Sequence, residues 1–324
     1  MITALNDEVF FNHAKIRSHK TLHPENLKKI NELITYTFPG LLSALQEFEI
    51  SSCISRELRS ELTLPRTTIY SRLLKCWEND LRNEIRLIKP SVKVVNLIDL
   101  HMCKYVINDL ITAVSTGSRE TTYLDTSLVE YLKTDEEVNK VISVMSRKGF
   151  MNNVILSVLK EYRKMKIKEL DVNELSRKLS VSYFRNLENT LRELNVSPYG
   201  LRCVGFLKEF EGSKPRLRKA LIEERDLRTV ATVLTQRQRE VVLRASKNTH
   251  EFEYVLSILP ARFCHDLLKS LPVSADTLLD YLLLKDVEFS LLSYVIYLIN
   301  SEYPQDLIKE EVRRWLELYE SITE

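Results

Sequence analysis

Two segments of this chain place their apolar residues on one shared spacing. The first carries Leu58, Leu62, Leu64, Ile69 and Leu73; the second carries Leu267, Leu271, Val273, Leu278 and Leu282. In both, the later residues fall four, six, eleven and fifteen positions after the first, and a threonine (Thr68 or Thr277) precedes the fourth. Intervals of four keep residues on one helix face, whereas the step of two breaks that face. The spacing predicts a helix, a tight turn, and a second helix laid across the first.

The rest of the chain also reads as helix. Helical stripes or start signals mark residues 26–38, 41–48, 154–166, 235–246, 262–271, 274–284, 287–299 and 307–319. A third pair resembles the first two only in part. Asp171 and Ser182 are placed to cap helices at 172–179 and 182–194, and Leu175, Leu179 and Val181 keep the spacing, but Leu187 and Leu191 each fall one position late. Residues 85–88 and 92–98, around Lys89-Pro90-Ser91, read as a short hairpin, and 201–210 as another, closed by Gly212. A hairpin after the second helix of such a pair is a wing. The expected fold is therefore mainly α, with several helix-turn-helix or winged-helix units, short β wings and a helical C-terminal domain. A polar break at 114–125 and a basic linker at 213–219 divide it into 1–113, 126–212 and 213–324.

The outward residues of these pairs suggest a ligand. In 65–75, Arg66, Thr67, Tyr70, Arg72 and Lys75 are expected on the side away from the apolar stripe. Arginine suits guanine edges, Thr and Tyr suit phosphates or a thymine methyl, and Lys75 continues the basic side. In the third pair, at 172–194, Tyr183, Arg185 and Asn189 are expected outward, and Asn suits an adenine edge. The last pair instead presents Ser274, Ala275, Asp276 and Asp280, and carboxylates are repelled by phosphate. It reads as a structural copy, although Arg237 and Arg239 just before it could meet phosphate. Double-stranded DNA is thus the expected partner, with a homodimer or partner protein expected at the C-terminal helices.

Residues 55–77 resemble the helix-turn-helix of winged-helix transcription regulators. The run LTQRQREVVLRA at 234–245, with Phe252 and the pair at 266–282, resembles the helix-turn-helix of archaeal bacterio-opsin-activator-type regulators, minus that family's Gly-aromatic step and with Pro260 and Arg262 split by Ala261. The resemblance implies a cytoplasmic, archaeal DNA-binding regulator. A helical adaptor or stalk subunit and a replication or plasmid-maintenance initiator are the alternatives.

Other classes lack support in the residues. With 6 glycines in 324 residues there is no glycine-rich phosphate loop, and no cofactor is expected. The six histidines form no HExxH, so neither a metal site nor a catalytic set is expected. Five cysteines, none in a CxxC pair, read as free or buried thiols in a reducing compartment. The apolar runs are too short or too interrupted to span a bilayer, and the first residues lack a signal peptide's layout. A formal net charge of +2 leaves the question of a polyanionic partner to local patches.

Overall fold

The structure is a computed structural model, and it describes residues 2–21, 65–116, 154, 172–223 and 234–323. Every element among them is a helix. These are α1 (Ile2–Lys20), α2 (Arg66–Ile88), α3 (Val92–Thr116), α4 (Val172–Glu193), α5 (Pro198–Ile222), α6 (Gln236–Ala245), α7 (Thr249–Leu268), α8 (Ala275–Asn300) and α9 (Gln305–Thr323). The chain divides into two compact units, Met1–Lys89 with Ser197–Glu324, and Pro90–Val196. These boundaries differ from the three segments drawn from composition. The helices expected at 26–38, 41–48 and 55–62, most of 154–166, the break at 114–125 beyond Thr116, and Leu58, Leu62 and Leu64 lie outside the described residues.

The first unit is organised around α8, which packs on α1, α2, α7 and α9. Its sequence explains that position. Leu278, Leu282, Phe289, Leu291, Leu292, Val295 and Ile296 are all fully buried and cover about half of its circumference, and Leu279 and Leu283 are buried on the other side, as expected of a helix packed by several neighbours. The two helices expected at 274–284 and 287–299 are one continuous helix. At their junction Lys285 donates to Glu288 at 2.5 Å, and both side chains are buried. The pair satisfies its own charges within one turn, so the helix continues through it.

Two expected wings are helical instead. Residues 85–88 form the last turn of α2, which ends at Lys89 in a left-handed conformation (φ 55°) with its N–H bonded to the Ile85 carbonyl. After Pro90, the Val- and Ile-rich run begins α3, where Val94, Leu97 and Ile98 are fully buried. The 201–210 run lies within α5, with Cys203, Val204 and Phe210 inside. β-branched and aromatic residues favour strands only weakly, and a buried helix face overrides that preference. The basic stretch 213–219 is likewise the last part of α5: the helix carries Pro215 on its exposed side and buries Leu217 and Ala220.

The five cysteines hold another departure. Cys203 of α5 and Cys264 of α7 form a disulfide, 61 positions apart. No local spacing announces it, because the two residues meet only where α5 packs on α7. A disulfide is at odds with an ordinary reducing compartment, although intracellular proteins of hyperthermophilic archaea do carry them. No helix among the described residues is long and apolar enough to cross a membrane.

In the second unit, α3 packs on α4. Here the expected helix-turn-helix is one continuous helix. Nothing between Leu179 and Ser182 breaks it, and the Ser182 hydroxyl donates to the Val154 carbonyl at 3.1 Å instead of capping. Leu175, Leu179 and Ser182 form one buried stripe; Phe184, Leu187 and Leu191 form another, rotated by about 150° at 100° per residue. The late leucines therefore mark a second buried face, not an extra turn residue.

Candidate nucleic-acid interface

α2 is placed by its inner face. Ile69, Leu73, Trp77 and Leu81 are buried, and α2 lies on α8. The Trp77 indole N–H donates to the Tyr281 hydroxyl at 3.1 Å, and its ring meets Tyr281 and Phe289 edge-on, with centroids 6.1 and 5.3 Å away. Such aromatic contacts are worth about 0.5–1.5 kcal/mol each beyond area burial. The inner face also holds a carboxylate. Glu84 is buried and accepts from His13 Nδ1 at 2.9 Å and from Arg17 at 2.5 Å, both on α1. Its charge is answered from within the fold.

Two residues expected outward belong to this inner face. Arg66 and Tyr70 stand one turn apart and in line with Leu73, Trp77 and Glu84. Arg66 Nη2 donates to the Ser290 carbonyl at 3.3 Å, and its guanidinium sits 4.9 Å from the centre of the Tyr294 ring. Burial raises the pKa of the Tyr254 and Tyr294 hydroxyls, and the Arg66 charge opposes that rise. Arg66 is thus a packing and hydrogen-bonding residue between α2 and α8, and Tyr70 is half-buried beside it. Ile69 and Leu73 are buried as the spacing requires, and Arg66, three residues before Ile69, shares their side of the helix and is half-buried there.

The opposite face carries a longer line than the sequence suggested. Thr68, Arg72, Lys75, Asn79, Arg82 and Arg86 follow one another at alternating steps of four and three, and Lys89 stands just past the helix end. From Thr68 to Arg86 the line runs about 27 Å at 1.5 Å per residue. Lys75, Asn79, Arg86 and Lys89 are exposed, and Arg72 and Arg82 are half-buried. Arg82 is paired with Glu78 at 3.2 Å. No carboxylate lies on the line itself. Thr67, also expected outward, is exposed to one side of it. The members beyond Lys75 were missed because 85–88 was read as a strand; the same four-three spacing of cations, followed past Trp77, would have found them.

The remaining expected residues stand elsewhere. Tyr183 is half-buried, its ring 5.1 Å from that of Phe184, while Arg185 and Asn189 are exposed on α4 in the second unit. Arg239 is half-buried and donates from Nε to the Leu234 carbonyl at 3.0 Å. The Arg237 side chain lies outside the described residues. Thr235 does cap α6, in a reciprocal box with Gln238.

The acidic residues of the last pair have internal partners. Asp276 is buried and accepts from the Ser197 N–H at 2.9 Å and the Ser197 hydroxyl at 3.0 Å. Ser197 caps α5 and Ser274 caps α8, so one carboxylate serves two helix N-termini, where negative charge is favoured. Asp280 is buried against His265 Nδ1, at 3.0 and 3.1 Å from its two oxygens. Neither is presented outward. The shared threonine also divides: Thr277 completes the capping box of Ser274, whereas Thr68 opens the cationic line.

Among the described residues, no group of three or more His, Cys, Asp or Glu side chains is arranged to hold a metal ion. No family model, no curated protein and no solved structure matches the chain.

Proposed function

We propose that this protein binds double-stranded DNA without catalysis, serving transcription control or plasmid maintenance. The observation that carries this reading is the cationic line on α2: four-three spacing, exposure at Lys75, Arg86 and Lys89, and no carboxylate among them. Contacts from such side chains neutralise phosphates and release counterions, the main sequence-independent source of DNA affinity. Arg72, Lys75, Arg86 and Lys89 bind the backbone of the duplex, with Thr68 and Asn79 as uncharged donors between them. Arg185 and Asn189 offer a second, smaller contact from the other unit. A gel-shift titration at low salt tests it: Arg72→Ala with Lys75→Ala weakens binding to mixed-sequence duplex, and unchanged affinity would remove α2 from the interface.

One observation favours the adaptor reading. Leu5, Val9 and Ile16 of α1 are 61%, 38% and 56% exposed, and they follow one helical face. If that face seats a partner protein, Leu5→Glu abolishes the partner's co-purification and leaves DNA affinity unchanged.

A further inference from the structure

We infer that the α2 line grips DNA through phosphates alone and is indifferent to base sequence; this rests on the DNA-binding reading above. Three features of the line carry the inference. First, the side chain best suited to a guanine edge at the start of the helix, Arg66, is held against Ser290 and Tyr294 inside the fold. Base readout from a helix uses a few side chains near its N-terminus, and here that position faces inward.

Second, the cations are spread along the whole helix. Arg72 and Lys75 stand near one end, Arg86 and Lys89 at the other, with Asn79 and Arg82 between. The major groove completes a turn about every 34–36 Å, so a straight helix whose contacts extend over about 27 Å leaves the groove floor and meets the sugar-phosphate rims. Third, Lys75 and Lys89 carry compact ammonium heads of the type that binds phosphate as point charges, and Thr68 is a short donor suited to phosphate oxygens. Glu84 is held by His13 and Arg17, and Glu78 by Arg82.

Three cations with exposed side chains (Lys75, Arg86 and Lys89) set the size of the effect. Three phosphate contacts give a slope of log affinity against log salt of about −2.7, so Kd rises about fortyfold between 50 and 200 mM salt. Removing two of the three lowers the slope by about two and reduces that rise to about threefold.

The test is a fluorescence-anisotropy titration of the full chain with two short duplexes of unrelated sequence, one A·T-rich and one G·C-rich, over that salt range. The probes are the duplexes themselves. Expected are affinities within about threefold of each other, less than one mismatched base pair costs a specific site. The slope should fall in Lys75→Ala/Arg86→Ala, with circular dichroism confirming that both proteins are equally folded. A duplex selected from a random pool that binds a hundredfold more tightly than either would overturn sequence indifference while leaving DNA binding standing. An unchanged slope in the folded double variant would overturn the α2 assignment. No binding of either duplex at the lowest salt would instead remove the DNA-binding reading itself.

Discussion

Lys285→Met tests whether α8 is a core helix or a surface one. Lys285 and Glu288 are both within a few per cent of complete burial, and their charged atoms are 2.5 Å apart. The Lys285 ammonium also lies 5.6 Å from the centre of the Phe289 ring. Removing the ammonium leaves a carboxylate buried with no counter-charge, a change that costs about 3–5 kcal/mol. Replacing both partners, as in Lys285→Met/Glu288→Leu, removes the desolvation cost of both ions along with their attraction, and is near neutral or stabilising by about 1–4 kcal/mol. Urea unfolding followed by tryptophan fluorescence measures this well. The two tryptophans, Trp77 and Trp315, both belong to the first unit, so the signal does not mix the two units. The single variant should lower the midpoint with little change in slope, and the double variant should recover it. A cost below about 1 kcal/mol for the single variant, or a double variant as damaged as the single, would show that the pair is solvated and that α8 does not sit at the centre of this unit.

Three further outcomes follow from the same structure. Cys203→Ala/Cys264→Ala removes a cross-link across 61 positions and should cost about 4 kcal/mol on the chain-entropy account, read as a lower urea midpoint of the tryptophan transition. Gly212→Ala and Gly205→Ala each replace a mid-helix glycine of α5 whose added Cβ would meet nothing within 4 Å, so each should raise stability by about 0.5–1 kcal/mol in the same assay. Burial, with Asp99 adding to it, pushes the Cys103 thiol up to about 12 from 9.0, so iodoacetamide should not label it in the native protein at pH 8. Because the folded state favours the neutral thiol, this group's contribution is constant below about pH 9 and is lost as pH rises toward 12.

Much of the helical content was legible because it rests on local signals. Thr235 and Ser274 cap helices as residue type and spacing suggested, and Ile69, Leu73, Leu278 and Leu282 are buried as the shared spacing required. What sequence could not supply was context at longer range. The break expected near Lys285 disappears because Glu288 answers its charge, and the break at 179–182 because Ser182 finds the Val154 carbonyl. Val92–Ile98 carries strand-favouring residues, yet it forms a helix because a buried face gains more than propensity loses. The disulfide depends on α5 meeting α7, a contact that no motif encodes. The candidate site was legible in part. Arg72 and Lys75 lie on the side away from Ile69 and Leu73, as their periodicity requires. Arg66 and Tyr70 were placed on the wrong face because their side depends on where the helix packs. Asp276 and Asp280 looked like surface charges because Ser197 and His265 are distant in sequence or across a turn.

The most direct measurement of the central claim is lysine footprinting of the full chain with and without duplex DNA. Lys75 and Lys89 stand on the α2 line, while Lys309 is exposed on α9 of the same unit. If α2 meets the phosphate backbone, acetylation of Lys75 and Lys89 slows when duplex is present, and acetylation of Lys309 does not. Equal labelling of all three lysines under conditions where the protein holds DNA would place the interface elsewhere and contradict the account.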